Sequence, residues 1–143
     1  MKFRFLLILM VACLASFARA QNTATPAQKQ DESAHVHGPD GLEGWTLNGS
    51  INDRAHDGEV YPFTLVIARH GKIIHRIPGD AFIWKWVFWD GGKDLAYMSG
   101  PLHFSATCHL IRISDWHQIA DYDCYHDTPS PQPDWVLALE SAQ

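Results

Sequence analysis

The sequence predicts an all-β domain, an antiparallel meander of about six or seven strands behind a disordered N-terminal tail. Two observations carry this reading. From Trp45 onward, short apolar stretches rich in β-branched and aromatic residues alternate with turn residues at close intervals. No window of a dozen residues in that region keeps a helical period.

The clearest unit is a hairpin. Phe63 to Arg69 and Lys72 to Ile77 are β-rich runs separated only by His70-Gly71, and a two-residue loop ending in glycine suits a primed turn. Pro78-Gly79-Asp80-Ala81 then turns the chain into Phe82 to Trp89, and Asp90-Gly91-Gly92-Lys93 reverses it into Asp94 to Met98. A looser connection, Gly100 to Ala106, leads to a second hairpin, Thr107 to Ile113 and Gln118 to Tyr125, around Ser114-Asp115-Trp116-His117. Upstream, Trp45 to Ile51 adds one more strand. Three prolines at 129, 131 and 133 favour an extended path. The terminal stretch Asp134 to Glu140 fits either a short capped helix or a last strand.

The chain divides into residues 1–20 as a signal peptide, 21–40 as a flexible tail and 41–143 as a single all-β domain. Lys2 and Arg4 precede an apolar run from Phe5 to Leu14, and Ala18-Arg19-Ala20 supplies the small-x-small pattern of a cleavage site. That run is short of the roughly twenty apolar residues a spanning helix needs, so no stable membrane insertion is expected after cleavage. Met10-Val11-Ala12-Cys13 loosely resembles a lipoprotein box, with Met a poor first residue for it. The leader reading places the mature protein in the periplasm or among secreted proteins. Residues 21–39 hold almost no apolar side chain larger than Ala or Val, and so little burial to offset ordering entropy.

The whole chain has a formal charge of −5. Its leader holds three basic and no acidic residues, so the remaining 123 residues carry −8, which argues against nucleic-acid and anionic-membrane partners. Two cysteines follow the leader, Cys108 and Cys124, and a pair in an oxidising compartment reads first as a disulfide. If Ile113 faces Ile119, then Cys108 faces Cys124 directly. The alternative is a thiolate site beside His109 and His126.

The stretch Phe82 to Tyr125 resembles one four-stranded blade of a WD40-like or TolB-like β-propeller. The resemblance rests on the turn Phe88-Trp89-Asp90-Gly91-Gly92-Lys93 followed by Leu95-Ala96-Tyr97, and on Ser114-Asp115 in the last hairpin. Family blades carry Ser-Pro before the Asp-Gly, whereas Trp89 stands here alone. With the hairpin from Phe63 to Ile77 as the closing half of a preceding blade, residues 63–125 make about one and a half blades. A closed propeller needs roughly four or more, so the chain must curl over its own apolar face, assemble with copies of itself, or add strands to a partner. The first is the expectation.

Six tryptophans and nine histidines are the compositional hints of function. Strict alternation puts Phe82, Trp84, Trp86 and Phe88 on one face of their strand, where they serve either as core or as a stacking platform for a sugar or peptide. Trp89, Trp116 and His103, beside turns or in a loop, are the candidates for exposed contact. His35 and His37 share one side of an extended segment and make half of a metal site. Catalytic motifs are missing: there is no Gly-x-Ser-x-Gly and no His-Glu-x-x-His. The chain therefore reads as a small exported binding or scaffolding module for an unknown protein or carbohydrate, with no cofactor implied and oligomerisation left open. The alternatives are a histidine-based metal-binding protein and a hydrolase using a carboxylate or Cys-His pair.

Overall fold

A computed structural model describes residues 31–51, 54–103, 105–125 and 131–142. The expected leader, residues 21–30 of the expected tail, His126 and residues 127–130, Pro129 among them, lie outside the described residues. Within them the fold is all-β apart from one helix. The strands are β1 (Asp31–Glu32), β2 (Val36–His37), β3 (Leu42–Gly49), β4 (Tyr61–Arg69), β5 (Lys72–Pro78), β6 (Phe82–Trp89), β7 (Asp94–Gly100), β8 (Thr107–Arg112) and β9 (Gln118–Asp123), followed by α1 (Asp134–Ser141).

The expected single meander is divided into two antiparallel sheets. In the first, β3, β4 and β5 are neighbours in that order, and the short β1 and β2 both pair with the outer edge of β3. In the second, β6, β7, β8 and β9 follow one another as a four-stranded meander. Burial explains the split. Leu42, Leu65, Ile67 and Ile77 from the first sheet close on Ile83, Leu95, Ile111 and Ile113 from the second, forming one core between the layers. A single curled sheet would leave half of these side chains wet.

The second sheet is apolar on its other face as well, where Ala96, Cys108 and Leu110 meet Trp135, Val136 and Leu139 of α1. An isolated helix of eight residues is unstable in water. Three buried side chains at about 1.5–3 kcal/mol each supply what propensity does not. This resolves the ambiguity at Asp134 to Glu140 in favour of a helix, and Lys85 Nζ ties it down by donating to the Glu140 carbonyl at 2.6 Å.

Three further expectations are corrected by register. Thr107 pairs with Asp123 and Cys108 with Tyr122, two residues out from the direct Cys108–Cys124 pairing expected. The disulfide nevertheless forms, diagonally across the same face, with Cα atoms 5.7 Å apart. In β6 a bulge at Trp84 puts Ile83 opposite Ser99 but Lys85 opposite Met98, so alternation restarts there. Trp86 and Phe88 then point into the inter-sheet core beside Ile83, while Phe82 and Trp84 cluster with Tyr61 and Phe63. The aromatic row is thus split between two sites. Finally, residues 31–40 of the expected tail are paired on β3, held by backbone bonds such as Ser33 N to Thr46 O at 2.9 Å and Gly38 N to Leu42 O at 2.9 Å.

Two glycines are set by geometry. His70 (φ 51) and Gly71 (φ 75) form the left-handed pair of a primed hairpin turn. A Cβ on Gly44 would stand 2.5 Å from the Trp86 ring, so the sheets meet here only because that position has no side chain. Gly44→Ala is expected to lower stability by about 1–3 kcal/mol in urea unfolding; an unchanged midpoint would show that the two layers do not touch at Trp86.

Candidate functional site

The edge of β6 away from β7 pairs with no strand among the described residues. Facing it across a groove are residues 33–39 of the segment 31–39, hereafter the strap, which contains β1 and β2. Two openings of about 420 and 260 Å³ lie end to end along this groove and share Val36 and Trp86. Trp84, Trp86 and Phe88 line the β6 side and are half-buried. Val36 lines the strap side and is 50% exposed. Backbone edge and apolar walls therefore occur together, a combination that suits recognition of an extended chain.

The strap is held lightly. Each of its two ladders with β3 is two residues long, and the strap spends one more residue than β3 between them. Ser33 Oγ accepts from Thr46 N at 2.9 Å. The principal side-chain hold is His35. Its ring stacks on Trp45 with centroids 4.2 Å apart and planes 5° from parallel. Its Nδ1 lies 2.8 Å from Glu43 Oε1 and its Nε2 lies 3.5 Å from Glu32 Oε2. Carboxylates only accept, so both nitrogens are satisfied only in the imidazolium. The Glu43 hydrogen bond accordingly raises the His35 pKa, against an opposing desolvation and with Glu32 adding to the rise. A partly exposed pair of this kind contributes ~0.2–1 kcal/mol, enough to matter for a segment with so few backbone bonds.

A second polar cluster lies inside the layers at the opposite lateral side. His109 is nearly buried, its Nδ1 2.6 Å from Asp121 Oδ1 and its Nε2 3.7 Å from Asp80 Oδ2. Tyr97, its partner in the ladder, stacks on it with centroids 4.7 Å apart. Burial, with Asp80 and Asp121 nearby, pushes the Tyr97 phenol up to about 12, so it stays a neutral donor. Asp121 also accepts from Gln118 Nε2 at 2.6 Å. His109 has a carboxylate near each ring nitrogen, and the cluster acts as a polar staple between β8, β9 and the β5–β6 turn. A third group joins His56 to Glu59 and Tyr61, whose hydroxyl donates to Glu59.

The sequence candidates fall in separate places. Trp89 packs beneath α1 with Trp135 and Leu139. Trp116 stacks on His75 of β5, centroids 4.0 Å apart, and leans on the inter-sheet core. His103 is exposed in the β7–β8 loop, its ring 6.3 Å from that of His56. These three do not converge. His35 and His37 do come together, both toward Glu43, with His37 Nδ1 3.9 Å from Oε1. That arrangement engages His35 with carboxylates at both nitrogens, and no group of three donor side chains suited to a metal occurs among the described residues.

The chain matches no family model, no characterised protein and no solved structure. The site must therefore be weighed on geometry. A larger opening of about 580 Å³ at the turn end is lined by Asp40, Asp90 and Asp94 against Arg69, Lys93 and Arg112. Its signs balance, and Lys93 and Arg112 already pair with Asp90 and Asp115, so it offers no bias toward an ion of either charge. The groove along β6 is the better candidate because its apolar walls and backbone edge have no strand partner among the described residues. Sequence reasoning placed the aromatic strand but missed the strap, whose pairing leaves no apolar signature.

The His109 cluster gives a direct check on this division between staple and site. Asp121→Ala is expected to cost about 1 kcal/mol in urea unfolding, because it removes the 2.6 Å partner of the nearly buried His109 ring, although Asp121 itself is half-exposed. Asp80→Ala, at a largely exposed carboxylate, is expected to cost under about 0.5 kcal/mol; equal losses would contradict the assignment of Asp121 as the principal partner.

Proposed function

We propose that the chain is an exported all-β binding module that takes an extended polypeptide segment along the outer edge of β6. The observation that carries this reading is the free edge of β6 lying between half-buried Trp84 and Trp86 and the exposed Val36. A row of backbone donors and acceptors at strand spacing is matched by another strand, which satisfies each group in turn. A sugar ring stacks on tryptophan but leaves that row unmet. This favours a protein partner over a carbohydrate one.

Export is supported by the leader pattern and by the Cys108–Cys124 disulfide. No helix among the described residues is long and apolar enough to cross a membrane. The order β6-β7-β8-β9 supports the resemblance to a single propeller blade, with the first sheet and α1 covering the faces that neighbouring blades cover in a ring. On this reading the propeller-like unit is capped on both faces by its own chain, and its partner arrives at the edge.

A fluorescein-labelled octapeptide of alternating valine and threonine provides the test, read by fluorescence polarisation. It is expected to bind the wild-type protein and to lose binding on Val36→Lys, a change at an exposed position that leaves stability within about 0.5 kcal/mol. Absence of binding, equal binding by the variant, or binding of cellohexaose in its place would each contradict the reading.

A further inference from the structure

The groove exists only while the strap stays on β3, and the closest charge-dependent fastening of the strap is His35, with His37 standing 3.9 Å from the same Glu43 oxygen. Its backbone ladders are two residues each. Between them His35 lies flat on Trp45 with a carboxylate at either ring nitrogen. We propose that the strap is a proton-operated latch, in which the imidazolium of His35, held between Glu43 and Glu32 on the face of Trp45, keeps the groove beside β6 walled. The inference rests on the binding reading above and adds its regulation.

Four features support it. First, both ring nitrogens face acceptor-only groups, so a neutral ring necessarily leaves one nitrogen turned to a carboxylate with no proton between them. Second, a cation is favoured over the face of an indole, and a neutral ring loses that attraction. Third, the surroundings supply no substitute for the charge. The titratable groups facing His35 are Glu32 from β1, Glu43 from β3 and the neighbouring His37 from β2, while β4 presents Val66 and Ala68 beneath Trp45. Fourth, the Trp45 indole N–H is buried with no hydrogen-bond partner among the described residues. Exposure to water would satisfy this donor, a bias toward uncovering Trp45 that the charged histidine stacked on its ring opposes.

The sign of the pH dependence follows. The His35 pKa is raised in the docked strap, so the fastening is complete below the ordinary imidazole value of about 6.5. It is lost as the pH rises through the higher, docked value. In mildly acidic surroundings the strap is closed and the groove formed; in alkaline ones the strap lifts and one wall is gone.

The test is amide hydrogen exchange of residues 31–38 in the full chain at pH 5 and pH 8.5, corrected for the intrinsic change in exchange rate, for wild type and His35→Gln. The wild type is expected to lose strap protection by up to about fivefold between the two, with a midpoint above 6.5, while the variant shows the lower protection at both. Flat wild-type protection, or a variant that keeps the pH response, would overturn the latch. The same samples are offered the valine–threonine octapeptide. Binding that falls together with strap protection supports latch and groove alike, and binding that persists at pH 8.5 after protection is lost overturns the regulation. Loss of protection with no octapeptide binding at either pH supports the proton-operated fastening and removes only the peptide reading.

Discussion

The sheet β6–β9 carries apolar side chains on both faces, and the remaining architecture answers that constraint. One face demands Leu65, Ile67 and their neighbours from the first sheet, and the other demands Trp135, Val136 and Leu139 from α1. A sheet buried on both sides cannot also be a surface platform, which is why the tryptophans of β6 serve packing before they serve contact. Surface for recognition is left at the strand edges. Of these, the β6 edge is where rings and a free backbone row occur side by side.

The bulge at Trp84 connects this packing to the proposed function. Without it, Trp84, Trp86 and Phe88 would all enter the inter-sheet core and crowd Gly44, whose missing side chain already admits the Trp86 ring. By restarting the alternation between Ile83 and Lys85, the bulge sends Trp84 toward Tyr61 and Phe82, and its indole donates to Gly100 O at 2.9 Å. Lys85 alternates with Trp86 onto the helix side, where it meets the Glu140 carbonyl. A local irregularity in one strand thus places an aromatic at the groove and keeps the core within volume.

Much of the fold was legible in the sequence, for reasons visible in particular elements. The runs around His70-Gly71 and the strand Phe82 to Trp89 are rich in β-branched and aromatic residues and end in turn residues, so hairpin and strand bounds could be read directly. What failed depended on partners. The Trp84 bulge and the diagonal Cys108–Cys124 bridge are properties of register between two strands, and a single strand's pattern does not encode its neighbour's offset. The strap was read as tail because it buys its place with hydrogen bonds, an ion pair and one ring stack, none of which raises mean hydropathy. His109 and Asp121 became a pair only once β8 and β9 were aligned, and Trp89, His103 and Trp116, all chosen for their place at turns or in a loop, proved to sit on three unconnected surfaces.

The central claim is that an extended chain adds to the outer edge of β6. Residue-resolved amide exchange by nuclear magnetic resonance, with and without the bound octapeptide, tests it most directly. The account predicts new protection at alternate amides of β6, those that point away from β7, with the amides of β7 and β8 unchanged. Binding that protects no β6 amide, or that protects the faces of the sheets instead, would contradict it.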